Sequence, residues 1–215
     1  MLKLGTERIL RAYCEKYPAI EKIEEPLWEC VRLLCACFEN GGQLLTCGNG
    51  GSCADADHIV GELVKAFRLK RPLTEPLAMA LLSQGHQGEL LAEHLQGGLP
   101  AINLGAHAAL MTAAVNDLGG VYIYAQQVVA YGRKGDVFLG ISTSGNSENV
   151  LCAGLVAKAK GIKTIGLTGR SGGKMEGLFD LMIHADSTAT EDIQDLHSTI
   201  YHAICAAVEY QLWGS

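Results

Sequence analysis

Apolar positions recur at helical spacing over residues 5–40: Ile9, Leu10 and Tyr13 come first, then Leu27, Val31, Leu34, Cys35 and Phe38. Asn40-Gly41-Gly42 closes the second of the helices this predicts. Beyond residue 42 the pattern changes. Short, continuous apolar runs at 43–47, 101–104, 136–141, 163–168 and 178–184 read as strands buried on both faces, hence as a parallel sheet. Amphipathic stretches near 52–68, 108–115, 122–132 and 147–160, and a last one over 191–212, read as helices. This alternation predicts one α/β domain, a doubly wound parallel sheet with extra N-terminal helices and a ligand crevice at the carboxyl ends of its strands. Residues 72–99 interrupt the rhythm with Pro72, Pro76, Gly85, a helix near 88–96 and Gly97-Gly98, an excursion that reads as an oligomer arm or a lid.

Two strand-to-helix junctions share one composition: Leu44-Leu45-Thr46-Cys47-Gly48-Asn49-Gly50-Gly51-Ser52 and Val137-Phe138-Leu139-Gly140-Ile141-Ser142-Thr143-Ser144-Gly145-Asn146-Ser147. Glycines allow close approach of a ligand to the backbone, and the helix behind each loop offers unpaired N–H groups and the positive end of its dipole. The second loop adds the hydroxyls of Ser142, Thr143, Ser144 and Ser147, which donate hydrogen bonds without adding charge. No lysine completes a GKS or GKT ending, so a phosphorylated small molecule suits these loops better than a nucleoside triphosphate. Either loop alone is ordinary turn chemistry; the repetition is what points to a ligand.

Composition narrows the class. A chain of 215 residues suffices for one well-buried domain, and a net charge of −6 argues against nucleic acid as the main partner. Charge interrupts the first residues too early for a signal peptide, and no apolar run approaches the ~20 residues of a membrane helix, so a soluble, cytoplasmic protein without membrane partners is expected. The eight cysteines contain no C-x-x-C pair and read as reduced, mostly buried small hydrophobes. Lys65, Arg68, Lys70 and Arg71 read as a solvated helix end, with the reach to touch a substrate phosphate.

The helix after the first loop carries His58 and Glu62 at i, i+4; the last helix carries Gln194 and His202 two turns apart on one face, with Ser198 between them. If these helices meet, the four side chains offer an N/O donor set that zinc accepts, or an acid/base pair. If they do not, these are ordinary polar residues of amphipathic helices. His197 reads as a buried structural histidine, and His86, His94, His107 and His184 as surface or satisfied core residues. Asn116-Asp117 before Leu118-Gly119-Gly120 reads first as a helix-ending turn.

The motifs taken together resemble the phosphoheptose isomerases of the sugar-isomerase (SIS) superfamily: Gly48-Asn49-Gly50-Gly51-Ser52 with Asp55, His58 and Glu62, then Asn116-Asp117, Gly135-Asp136-Val137, Ser142 to Ser147, Leu167-Thr168-Gly169, Gly172-Gly173-Lys174-Met175, and Ile193-Gln194 with His197 and His202. The resemblance spans about residues 40–210. It implies a flavodoxin-like α-β-α sandwich and a homotetramer built partly by the N-terminal helices, with active sites between subunits. It implies conversion of sedoheptulose 7-phosphate to D-glycero-D-manno-heptose 7-phosphate, Glu62 and His202 as the acid/base pair, and zinc on His58, Glu62, Gln194 and His202. Substrate contacts would fall to Asn49, Ser52, Asn116, Asp117, Ser142, Thr143, Ser144, Ser147 and Gln194.

Three positions depart from the family pattern. Ala66 stands where an Arg is frequent, one turn after Glu62. Glu191-Asp192-Ile193-Gln194 replaces an acidic-Arg-Ile-Gln run, and the 72–99 excursion is longer than usual. Two alternatives accompany the resemblance: an isomerase of another phosphorylated sugar, and a non-catalytic SIS tetramer that binds a replication-initiator protein. The presence of both Glu62 and His202 favours the enzyme.

Overall fold

A computed structural model describes residues 2–215. Two N-terminal helices, α1 (Leu4–Lys16) and α2 (Glu24–Glu39), are joined by a 3-10 turn over Pro18–Ile23. The α/β core follows: β1 (Leu44–Cys47), α3 (Gly51–Val64), a hairpin of α4 (Glu75–Leu82) and α5 (His86–His94), β2 (Ala101–Asn103), α6 (Ala108–Asp117), α7 (Ile123–Tyr131), β3 (Val137–Ser142), α8 (Glu148–Ala159), β4 (Lys163–Thr168), β5 (Leu181–His184) and α9 (Thr190–Trp213).

All strand pairs are parallel, and the sheet order is β2-β1-β3-β4-β5. The chain therefore reverses its winding direction between β1 and β3, the switch point at which doubly wound sheets hold ligands. The apolar strand runs divide by alternation. Leu44, Val137, Leu139 and Ile141 face the layer of α1, α2, α3 and α9 with Leu10, Leu27, Val31, Ile59 and Ile200. Leu45, Cys47 and Phe138 face α7 and α8 with Tyr124, Val128, Val150 and Ala153. Two apolar layers thus enclose the sheet, and the N-terminal helices bury their stripe against the rest of this chain.

Several boundaries differ from the sequence reading. The final strand starts at Leu181 rather than at 178. The preceding residues turn, because Asp180 takes the Thr164 N–H and hydroxyl through its carboxylate. The helix after the first loop stops at Val64, not at 68. The Arg71 guanidinium there donates to the carbonyls of Leu63 (2.6 Å) and Glu62 (2.9 Å), while the Glu209 carboxylate accepts the N–H groups of Phe67, Arg68 and Leu69 at 2.8–2.9 Å. The excursion forms the α4–α5 hairpin, which buries only Gly88. No helix among the described residues is long and apolar enough to cross a membrane.

Candidate active site

The two glycine- and serine-rich loops lie side by side, because β1 and β3 are neighbours with Cys47 opposite Gly140. Asn49 and Asn149 bind the loops together by exchanging two amide hydrogen bonds of 2.9 Å, and the Tyr124 hydroxyl donates to the Gly48 carbonyl at 2.5 Å. Ser142 and Ser147 face each other at 2.9 Å between hydroxyls. No side chain caps α3 or α8, although Asn149 takes the Val150 N–H. In α3 the Ser52 and Cys53 N–H groups already donate to the Asn49 and Gly50 carbonyls, so it is chiefly the first turn of α8, behind the serine loop, that offers amides to an anion. Gly145 holds φ +66°, and a Cβ there would collide with the Gly172 carbonyl, so this position admits only glycine comfortably. The Gly145 carbonyl accepts from Met175 N–H, and Thr143 carbonyl from Gly169 N–H, fixing the loop against its neighbours. Ser144 stands exposed, Thr143 partly so, Asn49 is exposed, and Ser52 is buried in the first turn of α3.

The second constellation forms at the far end of α3. His58 Nε2 lies 3.3 Å from Glu62 Oε1 and 3.4 Å from His202 Nε2, and one donor atom from each of the three residues lies within 4.8 Å of the others. The helices α3 and α9 run alongside in the same direction, since Gln194 packs on Gly51 and His202 meets His58. The Glu62 side chain is only 12 % exposed, and its other oxygen, Oε2, receives Lys65 Nζ at 3.3 Å. Phe67 stacks on the His202 ring with centroids 5.7 Å apart. Burial and the neighbouring His58 hold the His202 imidazole below its ordinary pKa, against the pull of Glu62, which favours the neutral ring. Tyr201 OH sits 3.0 Å from His58 Nδ1, an outer contact that orients His58 Nε2 toward Glu62 and His202. Two imidazole nitrogens and a carboxylate oxygen are donors of the kind zinc takes, so the cluster fits that ion chemically.

The remaining predicted residues are placed as follows. The Gln194 side chain lies on Gly51, so it sits at the loop end of α3, about 10 Å of helix rise before His58. Asn116 and Asp117 end α6 on the surface, with the Asn116 amide donating to Asp117 at 2.8 Å. His197 is fully buried and bonded through Nε2 to the Thr168 carbonyl at 3.2 Å, as a structural histidine should be. The cysteines are free, and six of the eight are buried.

One reading is corrected. Arg71 is no part of a solvated helix end: its side chain is fully buried, paired with the equally buried Glu209 at 2.7 Å and stacked 4.9 Å from the Trp213 ring. Since it holds the Glu62 and Leu63 carbonyls, this pair anchors the turn from which Glu62 projects. Sequence reasoning also passed over Tyr201, Tyr124 and Asn149. The signal for Tyr201 was its place beside His202, but only the packing of α9 on α3 reveals that it backs His58.

A family model described as SIS domain matches residues 11–98 and 91–169. A phosphoheptose isomerase of Helicobacter pylori (strain P12) is 39% identical over 191 residues, covering 89% of this chain and 86% of the relative. Phosphoheptose isomerase 2 of Campylobacter jejuni is 44% identical over 82% of this chain and 76% of its own. The solved structure of phosphoheptose isomerase GmhA from Neisseria gonorrhoeae superposes with a TM-score of 0.72 at 32% identity, over 94% of this chain and 97% of that one. With this overlap, and with the paired loops and the His58–Glu62–His202 cluster in place, the chain belongs to the SIS domain family and, within it, to the phosphoheptose isomerases.

Proposed function

We propose that this protein interconverts sedoheptulose 7-phosphate and D-glycero-D-manno-heptose 7-phosphate by moving a proton between C1 and C2 through an enediol. The observation that carries the reading is the convergence of Glu62, His58 and His202 at one end of α3, whose other end carries the phosphate-type loops. A ketose–aldose exchange needs a base at carbon and a second group to manage the carbonyl and hydroxyl protons. Glu62, shielded from water, takes the carbon-bound proton and returns it one carbon along. His202, neutral at pH 7, accepts and donates at the oxygens.

The loops hold the other end of the substrate. Ser142, Thr143, Ser144 and Ser147, with Asn49, Ser52 and the first turn of α8, bind the phosphate; Gln194 contacts the sugar beside Gly51, and Asn116 and Asp117 complete the pocket across a subunit boundary. The run of α3 from Gly51 to His58 spans about 10 Å, which suits an extended, open-chain sugar better than a triose.

His58, Glu62 and His202 would hold zinc; Gln194, expected from the resemblance as a fourth ligand, lies instead beside Gly51 at the loop end of α3, too far along the helix to join them. When bound, zinc supplies Lewis-acid polarisation of a carbonyl oxygen. Glu62 then divides its work: Oε1 faces the histidines, while Oε2, which receives Lys65, takes the carbon-bound proton once that exposed lysine swings away.

The active assembly is a homotetramer in the cytoplasm. Eight free cysteines suit a reducing compartment. Exposed Leu77, Met79, Leu82, Leu90, Leu91 and Leu95 on the α4–α5 hairpin make an apolar surface of the kind that subunits cover. The test is direct assay of the purified protein against a panel of ketose phosphates, with and without added zinc. Isomerisation with preference for the seven-carbon substrate is expected; equal or better turnover of a shorter ketose phosphate would reassign the substrate, and inactivity on all of them would favour the binding-protein alternative.

A further inference from the structure

His202 borders a second space. A cleft of about 470 Å³ lies between α1 and α9, walled by Arg8, Tyr13, Lys16, Arg68, Ser198 and Thr199 as well as His202. No carboxylate lines it, in a chain that carries 23 acidic and 17 basic residues. Among the described residues, Arg11, Arg32, Arg71 and Arg170 have carboxylate partners within 4.0 Å, whereas Arg8, Lys16 and Arg68, like Arg133 away from the cleft, have none, and it is their convergence on one concavity that sets the three apart.

Three uncompensated cations converging on one concavity repel each other and raise the local concentration of anions. Arginine forks bind phosphate oxygens by charge-assisted, often bidentate hydrogen bonds, and the Tyr13 hydroxyl is a neutral donor beside them, whereas the Ser198 and Thr199 hydroxyls already donate to the Asp195 carbonyl. Position adds a consequence: the same His202 ring that meets His58 also forms part of this wall.

We propose that this cleft is a second anion site, separate from the serine loop, which binds a phosphorylated small molecule against His202. The inference goes beyond the isomerase reading and does not depend on it. An occupant changes the surroundings of His202, so a phosphorylated metabolite bound there modulates whatever that histidine does.

Inorganic phosphate is the probe, titrated into the full chain by calorimetry at fixed ionic strength. The intact protein is expected to bind two phosphates per chain. The R8Q/K16Q/R68Q variant should lose one of them, or bind it about tenfold or more weakly, and keep the other; S142A/S144A should show the opposite pattern. Circular dichroism and gel filtration establish that each variant is folded and assembled. In the S142A/S144A background, phosphate should still shift the ring resonances of His202, a response that survives even if the triple variant fails to fold. One phosphate per chain in the intact protein, or no His202 shift in the S142A/S144A protein, overturns the proposal, the first result being expected if a second copy's acidic side chains fill the cleft. Loss of serine-loop binding alone counts against the substrate reading and leaves this site standing.

Discussion

The Nε2 atoms of His58 and His202, 144 residues apart in the chain, face each other at 3.4 Å beside Glu62. Two imidazole nitrogens at this distance either share one proton or turn two lone pairs toward a cation. The second arrangement predicts that protein stripped with a chelator takes up about one zinc per chain and melts at a higher temperature with zinc than without, because a ligand that binds only the folded state stabilises it. The H58A/H202A protein should bind no stoichiometric zinc and show no such rise. Metal analysis by mass spectrometry and thermal melts check both; a zinc-dependent rise that survives the double substitution would remove these histidines as ligands.

The serine loop should act on affinity more than on turnover. Ser144→Ala deletes one hydroxyl donor from an exposed loop position that the fold does not bury. About a tenfold rise in KM for the sugar phosphate is expected, with kcat changed far less. Steady-state kinetics decide this, and an unchanged KM would count against phosphate binding at Ser144.

Removing Glu209 leaves the buried Arg71 charge uncompensated and strands the N–H groups of Phe67, Arg68 and Leu69 in the turn behind Glu62. Glu209→Ala should therefore cost about 3–5 kcal/mol of stability in denaturant unfolding, with activity falling further than the folded fraction explains. A loss under about 1 kcal/mol would mean that the pair is not the anchor described.

Asp55 Oδ2 and His197 Nδ1 lie 4.0 Å apart, both buried without a hydrogen-bond partner among the described residues. Burial lifts the Asp55 carboxyl to about 6, against the opposing influences of Tyr201 and His58. Burial also lowers His197 to about 4, despite its bond to the Thr168 carbonyl. The folded Asp55 holds its proton more tightly than the unfolded chain does, so it adds stability as the pH falls from about 6 toward 4. The folded His197 holds its proton less tightly, so it removes stability as the pH falls from 6.5 toward about 4. The two contributions oppose each other. Relative to the parent protein, D55N should lose stability on acidification and H197Q should gain it, as read by denaturant melts across that range; slopes of the same sign in both variants would contradict this assignment.

Much of this was legible in the chain because the physics was local. Strands buried on both faces read as unbroken apolar runs, and the two ligand loops announced themselves through Gly, Asn and Ser between a strand and a helix. His58 and Glu62 were legible as a pair because a helix fixes i, i+4 spacing. Arg71 was not, because a buried arginine and a solvated one look alike until the partner is known, and Glu209 lies 138 residues away. For the same reason the end of α3 was misplaced by a turn: the groups that stop it come from α9 and from residues beyond the helix. The spacing of Gln194 and His202 placed them on one face of α9, but only the course of α9 along α3 sets Gln194 at the loops and His202 at Glu62.

The central claim is that Glu62 moves the carbon-bound proton, and Glu62→Gln tests it most directly, keeping shape and one donor oxygen while removing the basic carboxylate. The measurement is isomerisation of sedoheptulose 7-phosphate in deuterated water, following turnover and deuterium at C1 or C2 of the recovered sugar. A fall of about 10²–10⁴-fold in turnover, with deuterium incorporation falling alongside while the assembly persists, is the predicted result. Undiminished turnover and exchange in the Glu62→Gln protein would contradict the account.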